Sequence, residues 1–333
     1  MGVDIIGLAV VVLVAVCLAV GTWRGWHVRS SWIRWPFVIL GGLLTVLAAA
    51  VLVSAGVGFA RLNQHYNNAA PDVRVAGTAD QIARGQHLAY VCASCHSLPG
   101  GLPLAGADFI AKFGFPSVGT FYAPNLTPAG EIADWTDGEV IRAIREGIHQ
   151  NGRSLLVMPA ENLRHLSDED VQSLVAYLRA QPATGEATPG NRFSVFGALF
   201  VTLADLRSAQ PPAGTVSRPV AGTPEYGRYM VDVIGCRSCH GDQLQGKAPG
   251  GPPGPPPGPN LTQSGHGWTE AQFMMFFNAG QRPDGTTVPT ERLANGQETP
   301  RMPWPEVRAV ATDDELRAMY AYLHALPPRD SPY

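Results

Sequence analysis

The sequence predicts an all-α protein in which an N-terminal transmembrane helical hairpin is followed by two tandem copies of one helical domain. Three observations support this fold class. Two aliphatic runs near the N-terminus are long enough to cross a membrane, a Cys-x-x-Cys-His motif occurs twice, and the same order of capped helices and a Met-Pro pair follows each copy. We therefore expect a membrane anchor followed by an internal duplication.

The aliphatic runs cover residues 5–23 and 36–60. A bilayer core of about 30 Å needs roughly 20 helical residues, so the second run spans it and the first reaches the interface through residues 21–23. A signal peptide is the alternative for the first run. Residues 1–4 lack the positively charged segment that a signal peptide requires, so we expect an uncleaved helix.

The loop between the two runs sets the predicted topology. It holds Arg24, Arg29 and Arg34 without an acidic residue, and four tryptophans cluster at its edges. Basic loops stay in the cytoplasm and tryptophans favour the bilayer interface. We therefore expect contact with the lipid bilayer of a bacterial inner (cytoplasmic) membrane, with everything after Arg61 on the periplasmic or other extracytoplasmic side.

The repeated motif supplies two thiols and one imidazole per copy, from Cys92, Cys95 and His96 and then from Cys236, Cys239 and His240. Two thiols at this spacing can form thioethers to one haem, and the next imidazole then lies under the iron. A zinc ribbon would need its cysteine pairs roughly 15 to 20 residues apart, and a thioredoxin-like pair would need a βαβ pattern. Cys95 and Cys236 are 141 positions apart, and no βαβ pattern surrounds either motif. The sequence thus predicts two covalently bound haem c groups.

A second axial ligand is expected downstream of each histidine. Met158 follows His96 by 62 positions, and Met302 follows His240 by 62 positions. Methionine is a known axial ligand of c-type haem. Core packing is the alternative for both methionines. The remaining histidines are expected to be surface or supporting groups rather than ligands: His65, His87, His149, His165, His266 and His324.

Helix-start signals divide the chain. Capping residues recur in the same order in both halves, at Thr78, Thr136 and Ser167 and then at Thr223, Thr269 and Thr312. We expect a membrane region at 1–62, a polar tether at 63–77, a first domain at 78–184, a linker at 185–222 and a second domain at 223–333.

The linker contains an apolar segment at residues 193–206 that is too short to cross a bilayer. We expect it to be a helix that packs the two domains together, with contact to the membrane surface as the alternative.

The composition argues against a nucleic-acid partner, and the absence of catalytic motifs argues against enzymatic activity. Only 15% of residues are charged and the formal net charge is −3, so we expect no nucleic-acid partner, which would require a basic patch. The sequence contains no nucleophile elbow, phosphate loop or metal-carboxylate motif, so we do not expect an enzyme in its own right.

The two halves resemble class I cytochrome c domains over nearly all of residues 78–333. The resemblance rests on the Cys-x-x-Cys-His motifs, the downstream Met-Pro pairs and the Gly/aromatic helix before each motif. It implies tandem cytochrome c-like domains in which His96 and Met158 hold one iron, and His240 and Met302 the other.

Two shorter elements, Pro-Asn-Leu-Thr and Trp-Thr, are similar to those in cytochrome subunits of membrane-bound dehydrogenases. Two roles are open for the asparagines and tryptophans of these elements: they stabilise turns and helix starts, or they contact haem propionates. The residues are Asn125, Trp135, Asn260 and Trp268. The anchored dihaem arrangement also resembles the cytochrome cc subunit of haem-copper oxidases.

An iron with two protein ligands has no open position for a substrate. We therefore expect a protein that transfers electrons between redox partners of a respiratory or photosynthetic chain, with the other subunits of an oxidase, dehydrogenase or quinol-oxidising complex as partners. The alternative is a dihaem peroxidase or gas sensor with one five-coordinate iron, and the two Met-Pro pairs argue against it.

Overall fold

A computed structural model of the chain describes residues 2–97, 101–114, 116–204, 206–248, 257–262 and 267–332. Most of the secondary structure in these residues is helical. The helices are α1 (Ile5–Gly25), α2 (Ser31–Leu62), α3 (Ala79–Leu88), α4 (Tyr90–His96), α5 (Phe109–Phe113), α6 (Asp137–Glu146), α7 (Ala160–Leu163), α8 (Asp168–Ala180), α9 (Val195–Ala204), α10 (Pro224–Ile234), α11 (Cys236–His240), α12 (Glu270–Ala279), α13 (Trp304–Val310) and α14 (Asp313–Ala325), with a 3-10 helix at Pro116–Val118.

The strands are two or three residues long and form small sheets. They are β1 (Gly2–Val3), β2 (Ala107–Asp108), β3 (Gly119–Thr120), β4 (Tyr122–Ala123), β5 (Arg192–Phe193), β6 (Thr290–Arg292) and β7 (Glu298–Pro300). β5 pairs in parallel with β1 and antiparallel with β3, while β2–β4 and β6–β7 form separate antiparallel pairs. The predicted fold class is confirmed.

Helices α1 and α2 form the predicted hairpin, and both are long and apolar enough to cross a membrane. Each is longer than the sequence prediction, and α2 begins five residues before Pro36, which lies inside the helix. The prediction counted only apolar residues, whereas a helix can continue through the tryptophans and arginines of the bilayer interface. The connecting loop is therefore reduced to residues 26–30.

Each half of the remaining chain is built on the same helix crossing. A Cβ atom at Gly85 in α3 would lie 1.8 Å from the Ser173 carbonyl oxygen in α8, and one at Gly227 in α10 would lie 2.0 Å from the Ala318 oxygen in α14. Only glycine permits so close an approach of two helices. The first and last helices of both halves thus cross through equivalent glycines.

The predicted helix starts are all confirmed. In each case the side chain of the capping residue accepts a hydrogen bond from a backbone N–H of the first turn: Thr78, Thr136, Ser167, Thr223, Thr269 and Thr312. These bonds depend on residues only three positions apart, which explains why the sequence predicts them well.

The equal spacing of 62 residues has a different origin from simple duplication. Thr136 follows His96 by 40 positions and Met158 follows Thr136 by 22, whereas Thr269 follows His240 by 29 and Met302 follows Thr269 by 33. The first half therefore has eleven extra residues before the capped helix, where β2, α5, β3 and β4 lie, and the second half has eleven extra residues after it, where the β6–β7 hairpin lies.

The apolar linker segment forms α9, as a helix at the predicted residues, but it packs on α2 and not between the two domains. A Cβ atom at Gly58 of α2 would lie 1.9 Å from the Ala198 oxygen of α9, and Thr202 Oγ1 donates to the Ser54 carbonyl at 2.9 Å. α9 also contacts the 3-10 helix of the first domain, where a Cβ atom at Gly197 would lie 2.2 Å from the Val118 oxygen. The prediction that this segment packs the two domains together is wrong, because its small residues fit the end of α2 instead.

The two domains pack directly on each other through their own helices. Buried side chains of α3, α4, α6 and α8 belong to one continuous core with those of α10, α12, α13 and α14. The tether residues 63–77 lie against the first domain, where Val75 N–H donates to Asp137 and Asn68 donates to Glu146.

Candidate haem sites

The first candidate site is a cavity of about 580 Å³ beside α4. Cys92, Cys95 and His96, at the end of α4, line one side, and Met158, just before α7, also lines it. The structure thus brings all four predicted residues of the first half to one apolar cavity of the size that binds cofactors.

The imidazole of each motif is held in the same way. His96 Nδ1 lies 2.8 Å from the Pro124 carbonyl oxygen, and His240 Nδ1 lies 2.8 Å from the Pro259 oxygen. A carbonyl oxygen can only accept, so Nδ1 carries the hydrogen and Nε2 keeps its lone pair. Burial lowers the pKa of both histidines, which favours the neutral ring that binds metals.

The second candidate site is described in part. A Cβ atom at Gly258 would lie 2.7 Å from Nδ1 of His240, so only glycine fits against that ring. Met302 is half-buried and packs against the shared core. Residues 249–256 and 263–266 lie outside the described residues, and with them most of the predicted Pro/Gly loop and His266.

The donor set fits a covalently attached haem and does not fit a cluster of thiolate ligands. Burial raises the pKa of the Cys92 and Cys236 thiols to about 12, which disfavours free thiolates. In the part of the chain that the structure describes, no three His, Cys, Asp or Glu side chains converge on one point. One neutral imidazole and two thiols beside an apolar cavity match the needs of haem c.

Two polar residues at the cavity wall form a local hydrogen-bonded pair. His149 Nε2 lies 2.7 Å from Glu131 Oε1, and its ring packs edge-on against Trp135 at 4.7 Å between centroids. The hydrogen bond from His149 lowers the pKa of Glu131 despite partial burial. Burial lowers the pKa of Arg153, which also lines the cavity. His149 therefore supports the cavity wall.

The asparagines of the two Pro-Asn-Leu-Thr elements have turn roles. Asn125 accepts from Thr127 N–H and donates to the Thr184 and Glu186 carbonyls, and it is fully buried. Asn260 accepts from Thr262 N–H and donates to the Arg329 carbonyl. Each side chain ties its turn to the end of its own domain. Trp135 lines the first cavity, while Trp268 packs against Phe276.

The interface between the domains brings each attachment motif to the other half. Asn162 of α7 donates to Ser238 Oγ, inside the second motif, at 3.2 Å, and α7 also contacts α10. In the reciprocal direction, α13, which follows Met302-Pro303, contacts α4, which ends in the first motif. The helix after each methionine thus packs on the attachment region of the opposite domain.

A buried ionic network joins the crossing helices of the two domains. Arg84 bonds Asp170 at 2.9 Å within the first domain and Glu315 of the second domain at 2.6 Å. Tyr226 donates to Glu315 at 2.8 Å, and Tyr229 donates to Asp170 at 2.6 Å. The Arg84–Glu315 and Tyr229–Asp170 bonds cross the interface in opposite directions, whereas Tyr226 bonds Glu315 within the second domain.

The pKa values in the network follow from its bonds. Burial alone would raise the pKa of both carboxyl groups. The hydrogen bond from His87 and the charge of Arg84 hold that of Glu315 well below its usual range, and the bond from Arg84 lowers that of Asp170. Burial raises the pKa of Tyr226 and Tyr229, so both phenols remain hydrogen-bond donors.

Two family models match separate parts of the chain. Residues 80–178 match the family described as "Cytochrome C oxidase, cbb3-type, subunit III", and residues 226–327 match the family "Cytochrome c". Each half of the chain after the anchor therefore matches a cytochrome c model. The chain has two cytochrome c domains and binds two haem c groups covalently, as the repeated motif predicted.

Relatives of this dihaem cytochrome are named as cytochromes or as dehydrogenase subunits. It is 26% identical to a "Diheme cytochrome c-type" protein of Cereibacter sphaeroides over 76% of its own length and 88% of the relative. It is 31% identical to the "Gluconate 2-dehydrogenase cytochrome c subunit" of Pantoea cypripedii over 48% of its length and 37% of the relative. It is 32% identical to a subunit of nicotinate dehydrogenase from Pseudomonas putida over 52% of its length, but spans only 15% of that protein.

Several functional contacts have no sequence signal. Arg84 and Glu315 are 231 positions apart, and Asn162 and Ser238 are 76 apart. No short motif links such pairs, and each residue taken alone resembles an ordinary surface group. The repeated helix order could have indicated that equivalent faces meet, but not which side chains bond.

Proposed function

We propose that this dihaem cytochrome transfers electrons between redox partners as a membrane-anchored subunit of a dehydrogenase complex, and that it does not itself change covalent bonds in a substrate. The observation that carries this proposal is the crossed packing of the two domains. Asn162, four residues after Met158, bonds Ser238 between the cysteines of the second motif. A continuous path of packed and hydrogen-bonded groups therefore links the two sites.

The proposed attachment and ligand residues are those of the repeated motif and the Met-Pro pairs, and the shared cavity of the first half supports the first set. Cys92 and Cys95 would hold the first haem, with His96 and Met158 as axial ligands, and the second set is Cys236, Cys239, His240 and Met302. Bound haem supplies a one-electron couple, and methionine–histidine ligation raises its reduction potential. The carbonyls of Pro124 and Pro259 fix the orientation of the two imidazoles. With both axial positions filled by the protein, no position remains for a substrate.

The proposed location is the periplasmic face of a bacterial inner membrane. Asp4 N–H, at the start of α1, donates to the Phe193 carbonyl in the linker at 3.0 Å. The end of α2 bonds the same linker through Arg61 and Thr202. The outer ends of α1 and α2 therefore lie on one side, together with the first domain, as the basic loop at the opposite end would require.

A dehydrogenase is the partner that the relatives favour. Further relatives are named as the fructose dehydrogenase cytochrome subunit of Gluconobacter japonicus and an alcohol dehydrogenase cytochrome c subunit of Gluconobacter oxydans. A haem-copper oxidase is the second candidate, since the first domain matches an oxidase subunit family. Isolation from native membranes in mild detergent, followed by identification of bound subunits, separates the two. We expect a dehydrogenase subunit to co-purify and its substrate to reduce both haems; a haem-copper subunit in its place would favour the oxidase.

Carbon monoxide tests the electron-carrier assignment itself. The reduced protein should bind no CO because both irons have two protein ligands. Uptake of one CO per chain would show a five-coordinate iron and would favour a peroxidase or gas sensor.

A further inference from the structure

The helix α9 exposes two large apolar side chains on one face. The sequence of α9, VFGALFVTLA, contains no charged residue. Ala198 and Val201 are fully buried, whereas Phe196 is 54% exposed and Leu203 is 77% exposed. A helix that packs one face and exposes large apolar side chains on the other is typical of a contact with a membrane or another protein.

The position of α9 on the anchor limits what can cover it. Thr202 bonds the carbonyl of Ser54, seven residues before Arg61 at the end of α2. Seven residues of helix correspond to about 10 Å, so α9 packs on the last turns of α2, at the outer end of its apolar part. Val195 and Ala198 belong to a buried cluster with Ala55 of α2.

Helix α1 contributes to the same contact. Leu8 and Val11, one to two turns from the start of α1, pack against the cluster that contains Val195 and Ala198. On the adjacent turns of α2, Val53 and Val57 are exposed like the rest of the anchor surface. The apolar surface of the hairpin therefore continues onto α9.

We propose that α9 is an interfacial helix that lies in the outer leaflet of the bilayer, with Phe196 and Leu203 inserted among the lipid chains. This inference rests on the membrane anchoring in the proposed function. Its ten residues span about 15 Å, too short to cross the bilayer but suited to a helix that lies at the headgroup and acyl boundary.

The segment after α9 connects this membrane contact to the first haem site. Leu206 accepts a hydrogen bond from Val157 N–H at 3.0 Å, and Arg207 pairs with Leu156 in an antiparallel bridge. Val157 has a positive φ of 61°, which a β-branched residue rarely adopts, so this segment is held by its neighbours. Met158 follows directly. α9 thus holds the methionine side of the first domain at the membrane surface.

Thiol accessibility in proteoliposomes tests the proposal. Leu203→Cys and Phe196→Cys are made separately in the full haem-loaded chain carrying Cys17→Ala, and each is treated with a membrane-impermeant maleimide. Val220→Cys, an exposed linker position, serves as the water-facing control, and Leu47→Cys, in the middle of α2, as the membrane control. Rates are normalised to Val220→Cys, which corrects for the fraction of molecules facing outwards.

We expect both α9 variants to react at least about tenfold more slowly than Val220→Cys, because the reactive thiolate is disfavoured in lipid. The slow rate should persist when the lipid-to-protein ratio is raised. Labelling of Leu203→Cys and Phe196→Cys at the Val220→Cys rate, with Leu47→Cys protected, would overturn the inference and leave the anchor intact. Labelling of Leu47→Cys at that rate would instead refute the anchoring. Protection of α9 that disappears on dilution in lipid would indicate a second copy of the chain and also overturn the inference.

Discussion

Replacing Arg84 by methionine removes the only guanidinium that bonds buried carboxylates of both domains within the described residues. Arg84 makes two bonds to Asp170, at 2.9 and 3.0 Å, and one to Glu315 at 2.6 Å. The side chain of Asp170 is fully buried and that of Glu315 is 6% exposed. Methionine retains much of the aliphatic volume, so the change acts mainly on charge.

The expected loss in unfolding free energy follows from these contacts. Removing one partner of a buried ion pair costs about 3–5 kcal/mol, because the remaining charge stays buried without compensation. Arg218 still pairs with Asp170 at 3.1 Å, and His87 with Glu315 at 3.0 Å. We therefore expect the lower end, about 3 kcal/mol for Arg84→Met.

Denaturant unfolding of the detergent-solubilised full chain measures this loss, with haem absorbance and circular dichroism as parallel probes. Arg317→Met is the matched control, since Arg317 is 49% exposed and pairs with Glu270 and Asp314 at the surface. It should cost less than about 1 kcal/mol. The reasoning is refuted if Arg84→Met destabilises no more than Arg317→Met. A double-mutant cycle with Glu315→Gln should show coupling, because the second change costs less once Arg84 is gone.

Three further outcomes are expected. Met158→Ala should lower the reduction potential of the first haem and open it to CO, in redox titrations and CO difference spectra, while the more exposed Met275→Ala should change neither; an unaltered titration would contradict Met158 as a ligand. Gly85→Ala should cost roughly 1–3 kcal/mol or more in thermal unfolding, because its Cβ would lie 1.8 Å from a carbonyl oxygen of α8, whereas Gly101→Ala, with open space around it, should be neutral; equal effects would argue against the close crossing. The lowered pKa of Glu315 contributes stability that is present above the unfolded-state pKa and is lost as pH falls towards the folded-state pKa. The unfolding free energy should therefore fall below about pH 5, and Glu315→Gln should make that fall smaller. An identical pH profile in the variant would exclude Glu315 as the cause.

Local signals account for what the sequence predicts well. Capping residues such as Thr136 act over three positions, and the attachment motifs act over five, so both are visible in a short window. The crossing glycines could also be anticipated in kind, since Gly85 and Gly227 occupy equivalent places in the two halves. These features together determine the fold class and the haem-binding character.

Long-range packing accounts for what the sequence does not predict. The apolar composition of α9 indicates a buried or membrane-facing helix, but only the fit of Ala198 against Gly58 decides that it packs on α2. The bond between Arg84 and Glu315 depends on how two whole domains meet. The equal spacing of histidine and methionine does not mean that the two intervals fold alike, because the 62-residue interval of each half contains a different insertion.

Those insertions give the two domains different surroundings. In the first domain the insertion contributes Phe109 and Phe121 to the cavity wall, and its strand β3 pairs with β5 of the linker. In the second domain the β6–β7 hairpin contacts the first domain: a Cβ atom at Gly114 would lie 2.6 Å from the Cβ atom of Ala294, which lies between the two strands of the hairpin. The crossed contacts of α7 and α13 preserve the symmetry of the duplication, whereas the insertions break it. Any functional difference between the two haems is therefore expected to arise from the residues that the insertions place around each site, and not from the imidazoles, since both Nδ1 atoms lie 2.8 Å from a proline carbonyl oxygen.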